Sequence, residues 1–402
     1  MIRPGRGPAG RTFRCVFSTW AVAAALLIAG CSGFSLHPSY AWLPGKIAGK
    51  KVLAPQWHRP LVLNKERSYN PYEGGSALAD PEGGKVYIGT SAGRFYALDS
   101  ATGQMVWKFT SGDAINSTPI LSPDRKDLFF GDDAGRLFKL DTETGKKIFV
   151  YDGSGEVRSK PLLSGRALFF KDIRGRVHAV SAENGKGLWM FQWEPPEGYV
   201  VESTAGVAIV GQTVLTGFYD GLAVGIRLIE GTEKWRTDLS EFVPEDMQAA
   251  SAKIDVNTTP VVAGDQVLYT SFRGGLFGLD PEDGSILWRR SDLRMTSGLT
   301  VEGDEIYVSV TSRGLMRLSL EEQGKTTWDS RFSCKTLSSA VVYGDLVVVT
   351  DSAFGLIVLS RETGQVLDKF TPMWGSSAPP EVKSGRIFLH SNGGSVYSFF
   401  IL

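Results

Sequence analysis

A fifteen-residue frame, Gly93–Trp107 (GRFYALDSATGQMVW), recurs along this chain and constrains its fold more than any other feature. It returns as Gly135–Phe149, Gly175–Trp189, Gly221–Trp235, Gly274–Trp288, Gly314–Trp328 and Gly355–Phe370, and in shortened form as Gly394–Leu402. Successive opening glycines lie 39 to 53 residues apart. A unit of about 40 residues with four short strand patterns cannot bury both faces of its own sheet, so it must stack on copies of itself, which is the signature of a propeller blade. Eight frames predict an all-β, eight-bladed β-propeller; seven blades with an irregular eighth segment is the alternative.

Each position in the frame has a physical reason. The opening glycine permits the positive φ of a tight hairpin. The alternation of Phe95 and Ala97 against Tyr96 and Leu98 has period 2, as a strand with two distinct faces requires. Asp99 to Gly103 is a turn in which the carboxylate bonds local backbone and the glycine takes φ > 0. Trp107 begins the outer strand and supplies enough aromatic area to hold one blade on the next. Phe149 keeps that place in the second unit, whereas Asp368 stands there in the seventh and predicts a weaker contact.

The ends of the sequence complete the pattern. Val52 to Leu63 contains a strand pattern with Trp57 but no glycine frame before it, and the eighth unit stops at Leu402 without its outer strand. Residues 52–62 are therefore expected to supply that strand and to close the ring, giving a propeller over 51–402. Ahead of it, Arg3, Arg6, Arg11 and Arg14 form a basic region and Val16 to Ile28 a short apolar one. Leu27-Ile28-Ala29-Gly30-Cys31 then reads as a lipobox. The apolar run is too short to span a bilayer comfortably. The expectation is a lipoprotein signal over 1–30, acylation of Cys31, and a tether over 31–50 that spans up to ~65 Å when extended. Ser32, rather than Asp, follows the cysteine and favours the outer membrane, on its periplasmic side.

Composition excludes several functions. Without the four N-terminal arginines the chain carries 39 basic and 43 acidic residues, which gives no electrostatic footprint for nucleic acid. After processing, Cys334 is the single thiol other than the acylated Cys31, so no disulfide is available; its alternating context suits a buried small hydrophobe. His37, His58, His178 and His390 are scattered, and no metal motif joins them. Asp132, Asp133 and Asp172 fall at hairpin turns, where carboxylates cap backbone. No catalytic residue, cofactor or metal is expected, and the chain is expected not to be an enzyme. Small residues at the start of the blades (Ser76, Ser117-Thr118, Ser159) suit a crowded central channel. Two insertions break the period around the fourth blade, at Trp193–Tyr199 and at Leu239–Ile254; long loops on a rigid scaffold are where binding residues gather.

The eight frames are similar to the PQQ-type propeller repeat, close to DGxLYALDxxTGxxxW. Together with the lipobox and the insertions around the fourth blade, they resemble the BamB family of outer-membrane assembly lipoproteins, over nearly the whole mature chain. The resemblance implies a non-enzymatic scaffold that binds the periplasmic POTRA domains of a BamA-type barrel insertase. It also implies where: a segment before the Glu202-Ser203 opening of the fourth blade, and a second before Thr258-Thr259-Pro260. The expected partner-binding residues are Tyr199, Val200, Glu202, Asp255 and Asn257. Tyr199 and Val200 stand where the family has Leu and Arg, and Asn257 replaces an Asp, so a different envelope protein as partner is the first alternative. A PQQ-dependent dehydrogenase on the same fold is the second; a single mature thiol cannot form the vicinal disulfide of those enzymes.

Overall fold

The computed structural model describes residues 51–63, 71–153, 155–193, 205–242, 256 and 258–402. They form eight four-stranded antiparallel sheets arranged as the blades of a propeller. In blade 1 the strands run Leu78–Asp80, Lys85–Gly89, Arg94–Asp99 and Met105–Thr110, from the axis to the rim. Blades 2 to 7 repeat that order with outer strands Lys147–Asp152, Gly187–Gln192, Glu233–Asp238, Ile286–Arg290, Lys325–Arg331 and Val366–Phe370.

The eighth blade is built from both ends of the propeller sequence. Glu381–Lys383, Arg386–Ser391 and Ser395–Ile401 are its first three strands, and Leu53–Pro60 is its outer strand, paired antiparallel with Leu53 opposite Ile401 and Pro60 opposite Ser395. The ring therefore closes with eight blades and the expected N-terminal strand. The core follows from this arrangement. It divides into eight apolar layers, one between each pair of neighbouring blades. Tyr87, Phe95 and Trp107 of blade 1 meet Leu128, Phe130 and Phe138 of blade 2, and Trp57 and Phe388 of blade 8 meet Val86 and Leu98 of blade 1.

The frame residues do what their chemistry dictates. Asp99 accepts hydrogen bonds from the Ala101 and Thr102 N–H groups at 3.1 and 2.7 Å. Gly103, Gly145 and Gly284, with φ of +68°, +68° and +76°, lie flat beneath Trp57, Trp107 and Trp235 of the preceding blade; a Cβ on any of them would sit within 2.4–2.6 Å of the ring. Trp107 Nε1 donates to Thr142 O at 2.9 Å and Trp235 Nε1 to Pro281 O at 2.9 Å, both in the next blade. In blade 5 the positive φ falls on Gly275 (+101°), one residue after the glycine that opens the frame in the sequence. The hydroxyls at the inner ends of the blades tie each first segment to its second strand: Ser117 to Gly131, Ser159 to Lys171, Thr258 to Thr270, Ser338 to Thr350 and Ser376 to His390.

The seventh blade differs from expectation. Asp368 does not leave a weak contact. Its Oδ2 accepts the N–H groups of Val52 and Leu53, each at 2.9 Å, at the start of the closing strand. Blade 8 has no Asp-x-x-Thr-Gly turn at that point, because two separate chain segments meet there and Leu402 N–H bonds Val52 O at 2.9 Å. An indole would find no glycine to lie on; a carboxylate finds two donors.

Candidate partner-binding face

In an antiparallel meander the hairpin between second and third strands and the link to the next blade share one face of the disc. Here that face carries the described residues on either side of both insertions. Leu239 N–H bonds Gly221 O at 3.0 Å and Val256 N–H bonds Phe218 O at 3.1 Å, which fixes both to the blade 4 hairpin Phe218–Gly221. Val256 is fully buried and fills the space over Gly217, as Ile115 does over Gly89 and Val157 over Gly131, so the chain rejoins the repeat at Val256.

The described part of each insertion contains an aromatic residue held by an arginine of the following blade. Trp193 Nε1 donates to Asp220 Oδ2 at 2.6 Å, and the Arg236 guanidinium stands 4.6 Å from its ring centre. Burial pushes the Asp220 carboxyl above its ordinary pKa, against the Trp193 hydrogen bond, which lowers it. At the second insertion Ser240–Phe242 forms one 3-10 turn. Arg289 Nη2 donates to Phe242 O at 2.7 Å, and its guanidinium lies 5.2 and 5.3 Å from the rings of Phe242 and Phe277. Burial, then Arg294, lowers the Arg289 pKa. A cation over an aromatic face is worth ~0.5–2 kcal/mol, most where water is excluded.

Arg236 and Arg289 were not among the sequence-predicted site residues, yet the sequence carries a signal for them. Trp235-Arg236 and Trp288-Arg289 are its two Trp-Arg dipeptides, in the blades that follow the two insertions. The predicted partner-binding residues Tyr199, Val200, Glu202, Asp255 and Asn257, and the lipidation residue Cys31, lie outside the described residues. Replacing Arg289 by methionine keeps the stem but removes the donor and the cation. The expected result is a loss of ~1–2 kcal/mol of stability and faster hydrogen exchange in peptides covering Ser240–Phe242, with the distant blades 1 and 8 unchanged; exchange mass spectrometry checks it.

The buried polar groups on this face serve the fold. Asp132 Oδ1 accepts the Arg136 N–H at 2.9 Å, and Asp172 Oδ1 accepts those of Arg174 and Arg176 at 3.0 Å. His178 bridges Asp172 Oδ2 (3.2 Å) and the Tyr151 hydroxyl (3.1 Å), and its ring stacks on Phe170 at 4.8 Å. Burial alone would raise the Asp172 pKa, but the His178 and Arg176 contacts outweigh it and hold it low. Among the described residues no group of three or more His, Cys, Asp or Glu is placed to hold a metal. Cys334 is half-buried against the layer between blades 6 and 7, and burial pushes its thiol up to about 11, so little thiolate forms at neutral pH. On the axis, Ser76, Thr118, Lys160, Thr259, Ser339 and Glu381 are among the residues that line a cavity of about 700 Å³.

This is an eight-bladed propeller of PQQ-type repeats in which the described residues leading into the two insertions, Trp193 and Phe242, are each held by an arginine of the next blade. The chain belongs to the family described as outer membrane protein assembly factor BamB, whose model matches residues 91–323 and 274–367. Among curated relatives, the BamB of Shewanella oneidensis is 23% identical over 314 residues, 78% of this chain and 68% of that protein. The BamB of Escherichia coli K12 is 28% identical over 199 residues, so the match spans about half of either chain (48% and 47%). Among solved structures, BamB from Moraxella catarrhalis superposes with a TM-score of 0.70 at 19% identity, over 87% of this chain and 100% of that one. The quinohemoprotein alcohol dehydrogenase of Comamonas testosteroni reaches 0.63 at 14% identity, over 87% and 76%, and shares the propeller fold.

Proposed function

We propose that the mature chain is a lipid-anchored scaffold subunit of the machinery that assembles β-barrel proteins in the outer membrane. In this reading Cys31 carries the lipid, residues 31–50 are the tether, and the propeller faces the periplasm. Its blade 3 to 5 face holds a BamA-type insertase through that protein's POTRA domains. The observation that carries the reading is the pair of clamps: Arg236 on Trp193 and Arg289 on Phe242 hold the described residues that lead into the two insertions, in a chain of the BamB family. The role is one of binding. The buried carboxylates Asp132 and Asp172 are engaged by backbone N–H groups and arginines, which suits a stiff support.

Tyr199 and Val200 favour a second reading, in which the same face holds another envelope protein. An arginine can pair bidentately with a carboxylate, and Val200 cannot. The two readings separate in a mild-detergent pull-down of the lipidated protein from its own envelope, with mass spectrometry of its companions. The first expects an insertase with POTRA domains, lost when Asp255→Lys and Tyr199→Ala are combined in a protein that still unfolds at the wild-type temperature. Recovery of a different envelope protein, lost in the same double variant, selects the second. Undiminished recovery of any partner by the double variant refutes the placement of the site.

A further inference from the structure

The first strands of the blades line the axis of the propeller, and the wall they make is regular. Leu78, Ile120, Leu162 and Val341 open those strands in blades 1, 2, 3 and 7, and all four border the axial cavity of about 700 Å³. Two residues before the first strands of blades 1, 2, 5 and 7, on the same side of the chain, Ser76, Thr118, Thr259 and Ser339 add short hydroxyl side chains to that wall. Thr118 Oγ1 accepts the Ser76 N–H at 3.1 Å and Thr259 Oγ1 the Gly206 N–H at 2.8 Å, so this level ties neighbouring blades together. Two charges break the pattern. Lys160 takes the hydroxyl place in blade 3, and Glu381 takes the aliphatic place in blade 8.

The fold does not use up either charge. Glu381 Oε1 accepts the Ala79 N–H at 3.2 Å, a tie between blades 8 and 1 of the kind that hydroxyls make elsewhere on the wall. Its Oε2 has no hydrogen-bond partner among the described residues. Burial raises the Glu381 pKa, against the Ala79 N–H, Lys160 and Lys383, which lower it. Lys160 is exposed to the cavity, and its Nζ has no hydrogen bond or ion pair among the described residues. Lysines between the blades differ: Lys85 pairs with Glu143 at 2.6 Å and Lys139 with Asp127 at 2.9 Å. Lys160 and Glu381 lie close enough to feel each other's charge, yet no ion pair joins them. A cation and a carboxylate thus border one cavity, with room between them for a third party. The cavity has the size of sites that take small ligands, ~300–1,000 Å³.

We propose that the axial cavity binds a small zwitterion, an aliphatic α-amino acid or a short peptide, whose carboxylate meets Lys160 and whose ammonium meets Glu381. Leu78, Ile120 and Leu162 receive the aliphatic side chain. The charge on the wall decides the class of ligand. Among the described residues, Lys160 and Glu381 are the two charged groups that line the cavity, one of each sign. A ligand that brings one charge of each sign is neutralised group by group, which repays the burial of the Glu381 carboxylate. A dianion such as phosphate sets its second charge against that carboxylate. A divalent metal ion finds a single carboxylate and a lysine that repels it. The site is on the axis, apart from the blade 3 to 5 face, and does not rest on the partner assigned there.

The test is calorimetric titration of the full chain in phosphatidylcholine nanodiscs, with empty discs as blank and L-leucine and L-leucyl-L-leucine as probes. Saturable one-to-one binding of at least one probe is expected, and the tighter of the two tells a free amino acid from a peptide. Capping that probe separates the two contacts in the wild-type protein. N-acetylation removes the ammonium and amidation removes the carboxylate, and each is expected to weaken binding at least tenfold. Lys160→Met keeps the stem, and Glu381→Gln keeps an acceptor for the Ala79 N–H. Both are expected to weaken binding at least tenfold in proteins that unfold at the wild-type temperature. Lys383→Met removes a cation near Glu381 that does not line the cavity, and is expected to leave binding unchanged. Failure of both probes to bind would overturn the proposal. Equal binding of the N-acetylated probe would overturn the zwitterion, and binding indifferent to both Lys160→Met and Glu381→Gln would overturn the location.

Discussion

Trp235→Ala is expected to destabilise the propeller by about 3–5 kcal/mol, the range for truncating a buried tryptophan. The ring is buried in the layer between blades 4 and 5, lies over Gly284, and donates from Nε1 to Pro281 O at 2.9 Å. Truncation removes that area, opens a cavity and leaves a carbonyl without its donor. Urea unfolding read by circular dichroism measures the loss. Gly284→Ala approaches the same contact from the other blade. It puts a Cβ 2.4 Å from the ring at a φ of +76°, where L side chains are strained. Combined with Trp235→Ala, the glycine substitution should lose the part of its cost that comes from striking the ring and keep the part set by its φ of +76°. Full additivity in the double mutant would mean that ring and glycine are not in contact in solution.

Asp368→Ala should cost about 2–3 kcal/mol, because it leaves the N–H groups of Val52 and Leu53 without their acceptor. The more telling variant is Asp368→Trp, which restores the residue of every other blade but the second, where Phe149 stands. It is expected to be at least as destabilised as the alanine variant, since blade 8 offers no glycine turn for an indole. Both should accelerate hydrogen exchange first in Leu53–Pro60 and Ser395–Ile401, the two paired closing strands. A tryptophan variant as stable as wild type would show that the carboxylate is not what holds the start of that strand.

How much of this could be read from the sequence depended on whether one residue type has one physical use. Glycine under an indole is such a case: Gly103, Gly145 and Gly284 recur with their tryptophans because nothing larger fits, so blade count and blade packing were legible. The N-terminal closing strand was legible as a defect at one end that matched a defect at the other. Asp368 was legible as an exception and not as a latch, because the two N–H donors its carboxylate accepts lie 316 and 315 residues away in the sequence. Gly274 misled by one position, since either glycine of the pair Gly274-Gly275 can take the turn and only the register of the strand pair Ser271 with Gly275 decides. At the candidate face the insertions were visible as breaks in the period, but Arg236 and Arg289 were not. Their role depends on rings 43 and 47 residues away, and a cation beside a tryptophan in sequence says nothing about which ring it covers.

The closing strand also sets an order of events. Leu53–Pro60 cannot join its sheet until Ser395–Ile401 exists, so during synthesis it waits with both edges bare while seven blades form behind it. Loop closure over that span is slow compared with the hairpins inside each blade. The last step of folding is therefore the docking of an early segment onto a late one. Until it happens, the first and last blades each present an uncovered apolar layer to anything nearby, and the open ring is the species that chaperones or proteases in its compartment would meet.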